Sequence, residues 1–288
     1  MKLTAICLAY NHESTIEDTL RGFVHQLTDF DFEVLVGDDA SLDRTPEIIQ
    51  DYASKYPHIL KPFLREKNLG VYKNAADLWM RVKSEYTAIC EGDDYWCHDH
   101  FLQKAVTFLD KNPDYNLFSG NTINNYQEQG RQNFNIPIHD KVNASGEFSL
   151  SHHYHTHVSA RICRYLRHFP FDDTVELHYL MSLGKTYYHN EVFSVRNYTG
   201  LGVWSALSSE EQNQSAAAIW FGLNKFFNFD HEHDKNYTEC IGLSKFHKSI
   251  FKRVKKLIGP EKTWEHYYKW KKYPTDYSIR WIDEENIQ

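Results

Sequence analysis

A chain of 288 residues allows one large domain or two small ones, and 41% apolar with 15% aromatic residues supplies a sizeable core, which excludes a disordered chain. A net charge of −7 argues against a general nucleic-acid binder. Five cysteines, odd in number and without a CxxC pair, suit free thiols in a reducing compartment better than a disulfide framework.

Met1 and Lys2 lead directly into a core strand with no signal peptide visible. No apolar run approaches the roughly 20 residues that span a bilayer, so a soluble, cytoplasmic protein is expected. LTAICLA (Leu3 to Ala9) reads as a strand covered on both faces. Ser14 and Glu17 form an S-x-x-E capping box before a helix with Ile16, Leu20, Phe23, Val24 and Leu27 at helical spacing. FEVLVG (Phe32 to Gly37) is a second strand, and Thr45 with Pro46 opens a helix to about Tyr56. Pro62 limits ILKPFLR (Ile59 to Arg65) to an edge or a bulge. A helix over Lys73 to Lys83, a strand over Tyr86 to Cys90, a helix over Phe101 to Lys111 and a strand over Tyr115 to Gly120 follow. Asn121 to Leu150 is polar and reads as loops; VELHYLMSLG reads as a helix, KTYYHNEVFSV as a strand, and the chain beyond Ser208 as mostly helix.

This alternation predicts an α/β fold around a mostly parallel sheet with right-handed crossovers. Three stretches are expected: an α/β half over 1–120, an acceptor-side part of the same domain over 121–205, and a mostly helical extension over 206–288. Ligands of such sheets bind beyond the carboxyl ends of the strands. Those ends carry Tyr10 and Asn11, Asp38 and Asp39, Arg65 to Asn68, and Glu91 to Asp94.

The last of these, in YTAICEGDDYW, puts Glu91, Asp93 and Asp94 within four positions with no adjacent Lys or Arg. Carboxylates that repel one another alone become ligands of Mg²⁺ or Mn²⁺ bridging a phosphate. The bland alternative is a solvated loop in which Asp94 or Asp99 caps the next helix. The convergence of four polar strand ends favours the cation.

TAICLAYNHESTIEDTLRGFVHQ, FEVLVGDDASLDRTPEII, NLGVYKNAADLW and EGDDYW, in that order, resemble the family 2 glycosyltransferases of the GT-A fold over roughly Leu3 to Ser205. The resemblance implies an inverting transferase using a UDP-sugar, hexose or N-acetylhexosamine, with a divalent cation, Mn²⁺ or Mg²⁺. It implies a donor pocket of Ala9, Tyr10, Asn11, Asp38, Asp39, Arg65, Asn68, Glu91, Gly92, Asp93 and Trp204, with Tyr10 and Asp39 on the uracil. EGDDYW falls at the family's D-x-D metal motif, giving Asp93, Glu91 and Asp94 as candidate metal ligands; Glu91 facing the sugar is the alternative. Asp43 is read as either a site residue or a helix cap.

An inverting transferase needs a carboxylate to deprotonate the acceptor hydroxyl. The family places it at a helix start that FDDTVELHYLMSLGK resembles, so Asp173 is the candidate base, with Glu176 and Asp172 as alternatives; helix-terminal acids without chemistry are the other reading. In HHYHTHVSARICR, His153, His155 and His157 share one strand face. A zinc site usually draws ligands from separate elements, so His155 and His157, with Trp96, are read as acceptor-side residues, against structural histidines and core packing. GLGVWS (Gly200 to Ser205), which contains Trp204, resembles a loop over the diphosphate, but SVRNYTG before it lacks the histidine relatives often carry there. Leu243 to Gly259 places Leu243, Phe246, Ile250, Val254 and Leu257 on one face of a strongly basic helix, suited either to an anionic membrane surface or to packing on the domain. The implied setting is bacterial surface polysaccharide synthesis on a saccharide or lipid-linked acceptor, in the cytoplasm or at the inner face of the membrane. A non-catalytic nucleotide-sugar-binding scaffold and a sugar nucleotidyltransferase are the competing classes. The latter needs a Gly-rich phosphate loop that AYNHEST does not supply.

Overall fold

In a computed structural model of the chain, the described residues are 1–128, 131–135, 157–160, 180, 184–199, 207–212 and 245–271, with some element ends described as backbone only. Two compact units emerge, Met1–Gly200 and Leu201–Trp281.

In the first unit the chain runs β1 (Leu3–Ala9), α1 (Ile16–Val24), β2 (Phe32–Asp38), α2 (Thr45–Lys55), β3 (Leu60–Leu64), α3 (Val71–Arg81), β4 (Tyr86–Ile89), β5 (Tyr95–Trp96) and α4 (Phe101–Lys111). It continues through β6 (Tyr115–Glu128), β7 (Arg131–Asn135), β8 (His157–Ala160) and β9 (Lys185–Tyr198). Among the described residues these strands form one sheet in the order β3-β2-β1-β4-β8-β6-β9-β5, with β7 hairpinned onto β6. The β3-β2-β1-β4 half is parallel. β8 then lies antiparallel to both β4 and β6, and β6 runs parallel to β9.

Every residue of β1 is buried, as a strand covered on both faces requires. Leu3, Ala5, Cys7 and Ala9 join Ile16, Leu20 and Phe23 of α1 in the main core, while α3 packs against β1 and β2. β3 is an edge strand, the place where Pro62, lacking an N–H, costs the ladder least.

Three local expectations change. The N-cap of α1 is Thr15, with no side-chain capping bond; its hydroxyl instead donates to the Gly92 carbonyl at 3.0 Å. Glu17 accepts from Arg21 and from the Tyr52 hydroxyl, so no capping box with Ser14 is seen. At α2, Asp43 accepts the Thr45 amide and the Glu13 amide, which makes it a cap and a clamp on the β1–α1 turn. The polar stretch after Gly120 is strand, not loop: β6 continues to Glu128. Its buried polar side chains are paired across the sheet, Thr122 with Ser194 at 2.8 Å and Asn125 with Asn197 at 2.6 Å. Apolar periodicity does not mark such a strand, because its inner face is satisfied by hydrogen bonds instead. The predicted helix over VELHYLMSLG falls outside the described residues apart from Leu180.

In the second unit, α5 (Lys245–Ile258) and α6 (Pro260–Lys271) form a helical hairpin turning at Gly259, whose φ of 85° lies in the left-handed region that glycine adopts without cost. Phe251 packs on Trp264 and Tyr267, with ring centroids 4.8 and 5.2 Å apart.

Candidate functional site

Successive parallel strands step outward from β1 to β2 and β3, then return to β4 on its other side. The reversal makes the crevice between the carboxyl ends of β1 and β4 the topological switch point. β1 delivers Ala9, Tyr10 and Asn11 to this rim, and β4 delivers Glu91 to Asp94.

The acidic loop is held largely by backbone and hydroxyl bonds. The Gly92 amide donates to the Leu8 carbonyl at 2.8 Å and the Asp94 amide to the Glu91 carbonyl at 3.1 Å. Thr19 donates from one hydroxyl toward the Gly92 and Asp94 carbonyls, at 3.1 and 2.6 Å. A Cβ on residue 92 would stand 2.7 Å from His12 Nδ1 and 3.1 Å from the Leu8 carbonyl, so glycine is what lets the loop seat against the β1–α1 turn. From the other side, Asn197 of β9 donates its amide N–H to Asp94 Oδ1 at 2.9 Å and its Nδ2 to the Asp93 carbonyl at 2.7 Å.

The three carboxylates differ in surroundings. Glu91 is exposed and Asp93 half-buried, whereas Asp94 is buried. Burial first, then the charges of Asp93 and Glu91, raise the Asp94 carboxyl well above the ordinary range; the Asn197 N–H and the charge of Arg196 pull the other way without reversing it. Asp94 Oδ1 thus faces β9, whose Asn197 N–H it accepts. Asp93 Oδ1 is buried without a hydrogen-bond partner, as is His12 Nδ1 on the β1–α1 turn, which faces Gly92. A buried carboxylate oxygen with nothing to accept from is costly. Among the described residues no three His, Cys, Asp or Glu side chains converge as a complete metal cage.

The β2 end is a scaffold of turns. Asp38 accepts both the amide and the hydroxyl of Ser41, Ser41 Oγ accepts the Asn11 amide at 2.9 Å, and Asn11 Oδ1 accepts the Leu42 amide at 2.8 Å. This cross-bracing holds Asn11 and Ala40 at φ of 56° and 60°, conformations that cost a non-glycine residue energy and persist only when surroundings impose them. Asp38 thus fixes the turn with one bond accepted on each carboxylate oxygen. Asp39, also buried, accepts the Leu69 and Gly70 amides at 2.7 and 2.9 Å, and Asn68 Oδ1 accepts Gly70 as well. Tyr10 is 42% exposed at the rim.

The Arg65 side chain lies against α3: its Nη2 meets Asp77 at 2.6 Å and its Nε donates to Asn74 at 3.2 Å. Trp96 corrects the sequence reading. It is 2% exposed, edge-on to Phe23 at 4.9 Å and Phe101 at 5.2 Å, and is a core residue rather than an acceptor platform. Apolar area drives it inward because β5 is pinned between α1 and β9. His157 lies in β8 opposite Ser119 of β6. Asp172, Asp173, Glu176, His155 and Trp204 lie outside the described residues. Sequence reading missed Asn197, Asn125 and Thr19; only their small polar character inside otherwise apolar elements marks them.

The model of the Glycosyl transferase family 2 matches residues 4–173, more than half the chain. An uncharacterized protein of Mycobacterium tuberculosis, Rv1520, is 44% identical over 112 residues, which is 39% of this chain and 32% of that protein. TarS of Staphylococcus aureus, a poly(ribitol-phosphate) beta-N-acetylglucosaminyltransferase, is 31% identical over 115 residues, 38% of this chain and 19% of TarS. The chain thus spans a third or less of these relatives. The structure of TarS residues 1–349 with UDP-GlcNAc superposes with a TM-score of 0.55 at 20% identity, covering 76% of this chain and 66% of that one. A mannosyltransferase from Pyrobaculum calidifontis, with GDP-Man and Mn²⁺, gives a TM-score of 0.53 at 17% identity over 83% and 64% of the two chains. Both are likenesses of fold. With the family's model covering the β1 to β4 rim and the acidic loop within residues 4–173, this chain belongs to glycosyl transferase family 2.

Proposed function

We propose that the chain is an inverting glycosyltransferase that moves a hexose or N-acetylhexosamine from UDP to a saccharide or lipid-linked glycan in bacterial surface polysaccharide synthesis, at the cytoplasmic side of the membrane. One observation carries the reading. At the β1/β4 switch point stands a loop of three carboxylates in which Asp93 Oδ1 is buried and unpartnered. The family match and the UDP-GlcNAc held by the TarS structure support the donor class.

The exposed Tyr10 ring offers a face for a nucleobase. Asp39, though it holds the Leu69 and Gly70 amides, keeps lone pairs for a further donor, since a carboxylate offers about four acceptor sites. Arg65 reaches a phosphate only by leaving Asp77. Asp93, with Glu91, would hold Mn²⁺ or Mg²⁺, which supplies charge neutralisation to the departing diphosphate. In the transfer, the acceptor oxygen bonds the anomeric carbon as the bond to the diphosphate oxygen breaks, and a carboxylate takes the hydroxyl proton. Asp173, ahead of Glu176 and Asp172, is the proposed base.

Thermal unfolding of the full chain with UDP, with and without Mn²⁺, tests the reading. UDP with Mn²⁺ is expected to raise the midpoint, and Asp93→Ala is expected to remove the metal-dependent part. A panel of UDP-, GDP-, CDP- and dTDP-sugars that leaves the midpoint unmoved sinks the assignment.

A further inference from the structure

The hairpin of α5 and α6 has a surface that the transferase reading does not use. α5 carries six cations and no acid, while the whole chain is acidic at −7. Its neighbour α6 adds Lys262, Lys269 and Lys271 against Glu261 and Glu265. The sequence predicts one apolar face holding Ile250, Val254 and Leu257; in the structure that face divides. Phe251, one position on from Ile250, turns to α6 and meets Trp264 and Tyr267. Lys255 follows it, its ammonium 4.6 Å from the Trp264 ring centroid and 5.5 Å from that of Phe251. Ile250 and Leu257 are left outside, 41% and 82% exposed. Two turns apart on one helix, they have Arg253 between them at i+3 and i−4 spacing, and Lys252, Arg253 and Lys256 are all exposed.

We infer that this outer face of α5 is a docking surface for an anionic lipid bilayer. Two large aliphatic side chains held in water cost free energy that burial at the acyl boundary recovers. The cations around them have long stems that let the charge rest at headgroup level while the stem lies along apolar surface. Lipid fits better than a nucleic acid or another soluble polyanion, because a phosphate backbone rewards the cations but offers nothing to Leu257 and Ile250. α5 itself, with six cations in fourteen residues, is suited to lie on such a surface rather than to cross it. Such a site would keep the chain beside a lipid-linked substrate, but it stands independently of the transferase chemistry.

Sedimentation of the full chain with vesicles tests it. One set is phosphatidylcholine alone; the other adds phosphatidylglycerol. Binding is expected only to the anionic set and is expected to weaken as salt screens the surface. A cation near such a surface is worth about fivefold in partition, so Lys252→Gln, Arg253→Gln and Lys256→Gln together are expected to lower binding about a hundredfold. Leu257→Ser, at an exposed position that the fold does not need, is expected to lower it about tenfold with an unchanged melting midpoint. Absence of binding to the anionic vesicles overturns the inference, as does equal binding to both sets. A triple variant that binds like wild type overturns it too. If Leu257→Ser binds like wild type while the triple variant does not, the surface serves a soluble polyanion and the lipid assignment fails.

Discussion

Asn197→Ala isolates what holds the acidic loop. The substitution leaves the residue's own N–H on Asp94 in place and removes two side-chain bonds, Nδ2 to the Asp93 carbonyl at 2.7 Å and Oδ1 from Asn125 at 2.6 Å. Asn125 is buried, and its Oδ1 already has no partner, so losing Asn197 leaves its side-chain amide unsatisfied at both ends. Each buried group stripped of its partner costs about 1–3 kcal/mol. The Asp93 carbonyl lies near the rim, where water can replace part of the loss, so the total should be about 3 kcal/mol. For a unit of this size that corresponds to a fall of about 9 °C in the midpoint. Urea and thermal unfolding measure it, with Asn125→Ala and the double variant closing a cycle in which the two effects are expected to fall short of additive by at least about 1 kcal/mol. The folded Asn197→Ala protein should also lose most of the Mn²⁺-dependent response to UDP, because Asp93 is no longer held from the β9 side. Stability within about 0.5 kcal/mol of wild type, or an undiminished Mn²⁺ response, refutes the bracing role.

Gly22→Ala should lower stability even though alanine is the better helix former by about 1 kcal/mol. Its Cβ would stand 2.6 Å from the Trp96 carbonyl oxygen and 3.0 Å from the Trp96 nitrogen, backbone atoms that cannot swing away, and relieving such overlap costs about 1–3 kcal/mol. Urea denaturation showing a gain would mean that α1 and β5 are not in contact. Asp77 sets an acid limit. Burial alone would raise its carboxyl, but hydrogen bonds from Arg81 and Arg65, reinforced by their charges, outweigh it and hold the carboxyl below its ordinary range. A depressed folded-state value contributes stability that is present above the unfolded-state value, near 4, and lost as pH falls through the folded one. Asp77→Asn should therefore destabilise at neutral pH and flatten the loss of stability below about pH 4, measured by unfolding midpoints across that range.

The parallel half of the fold was legible because its signals are local. Strand runs, a proline in the first turn of α2 and turn residues repeat at regular spacing through Lys111, and α4 begins and ends at the residues predicted. The polar half was not. β6 beyond Gly120 carries Asn and Thr whose partners lie some 70 positions away in β9, as with Thr122 and Ser194 or Asn125 and Asn197, and no local pattern encodes such a pairing. The same blindness governed the site. That Asp38, Asp39 and the Glu91–Asp94 loop share a rim follows from alternation alone. Which carboxylate turns inward depends on where β9 puts an N–H, so Asp94 and Asp93 look interchangeable in sequence. Trp96 went astray for a related reason: an aromatic next to an acidic loop reads equally well as platform or core until Phe23 and Phe101 are known to lie against it.

Holding these carboxylates together has an energetic meaning. The loop gathers like charges with no Lys or Arg adjacent in sequence, so much of the repulsion must be carried by other groups in the fold. The bonds that oppose it are largely uncharged: Leu8 and Glu91 carbonyls accepting the Gly92 and Asp94 amides, Thr15 and Thr19 hydroxyls on the loop carbonyls, and Asn197 on both aspartates. Each is worth about 1 kcal/mol, and together they match a few kcal/mol of repulsion screened at the rim. Were an arginine to neutralise the whole cluster, the loop would be more stable and would have little left with which to draw a cation. A loop braced largely by neutral donors has its geometry set before any ion arrives, so binding would not also have to order the loop. This is why the braces, rather than the carboxylates alone, are where substitutions should separate a working site from a merely acidic one.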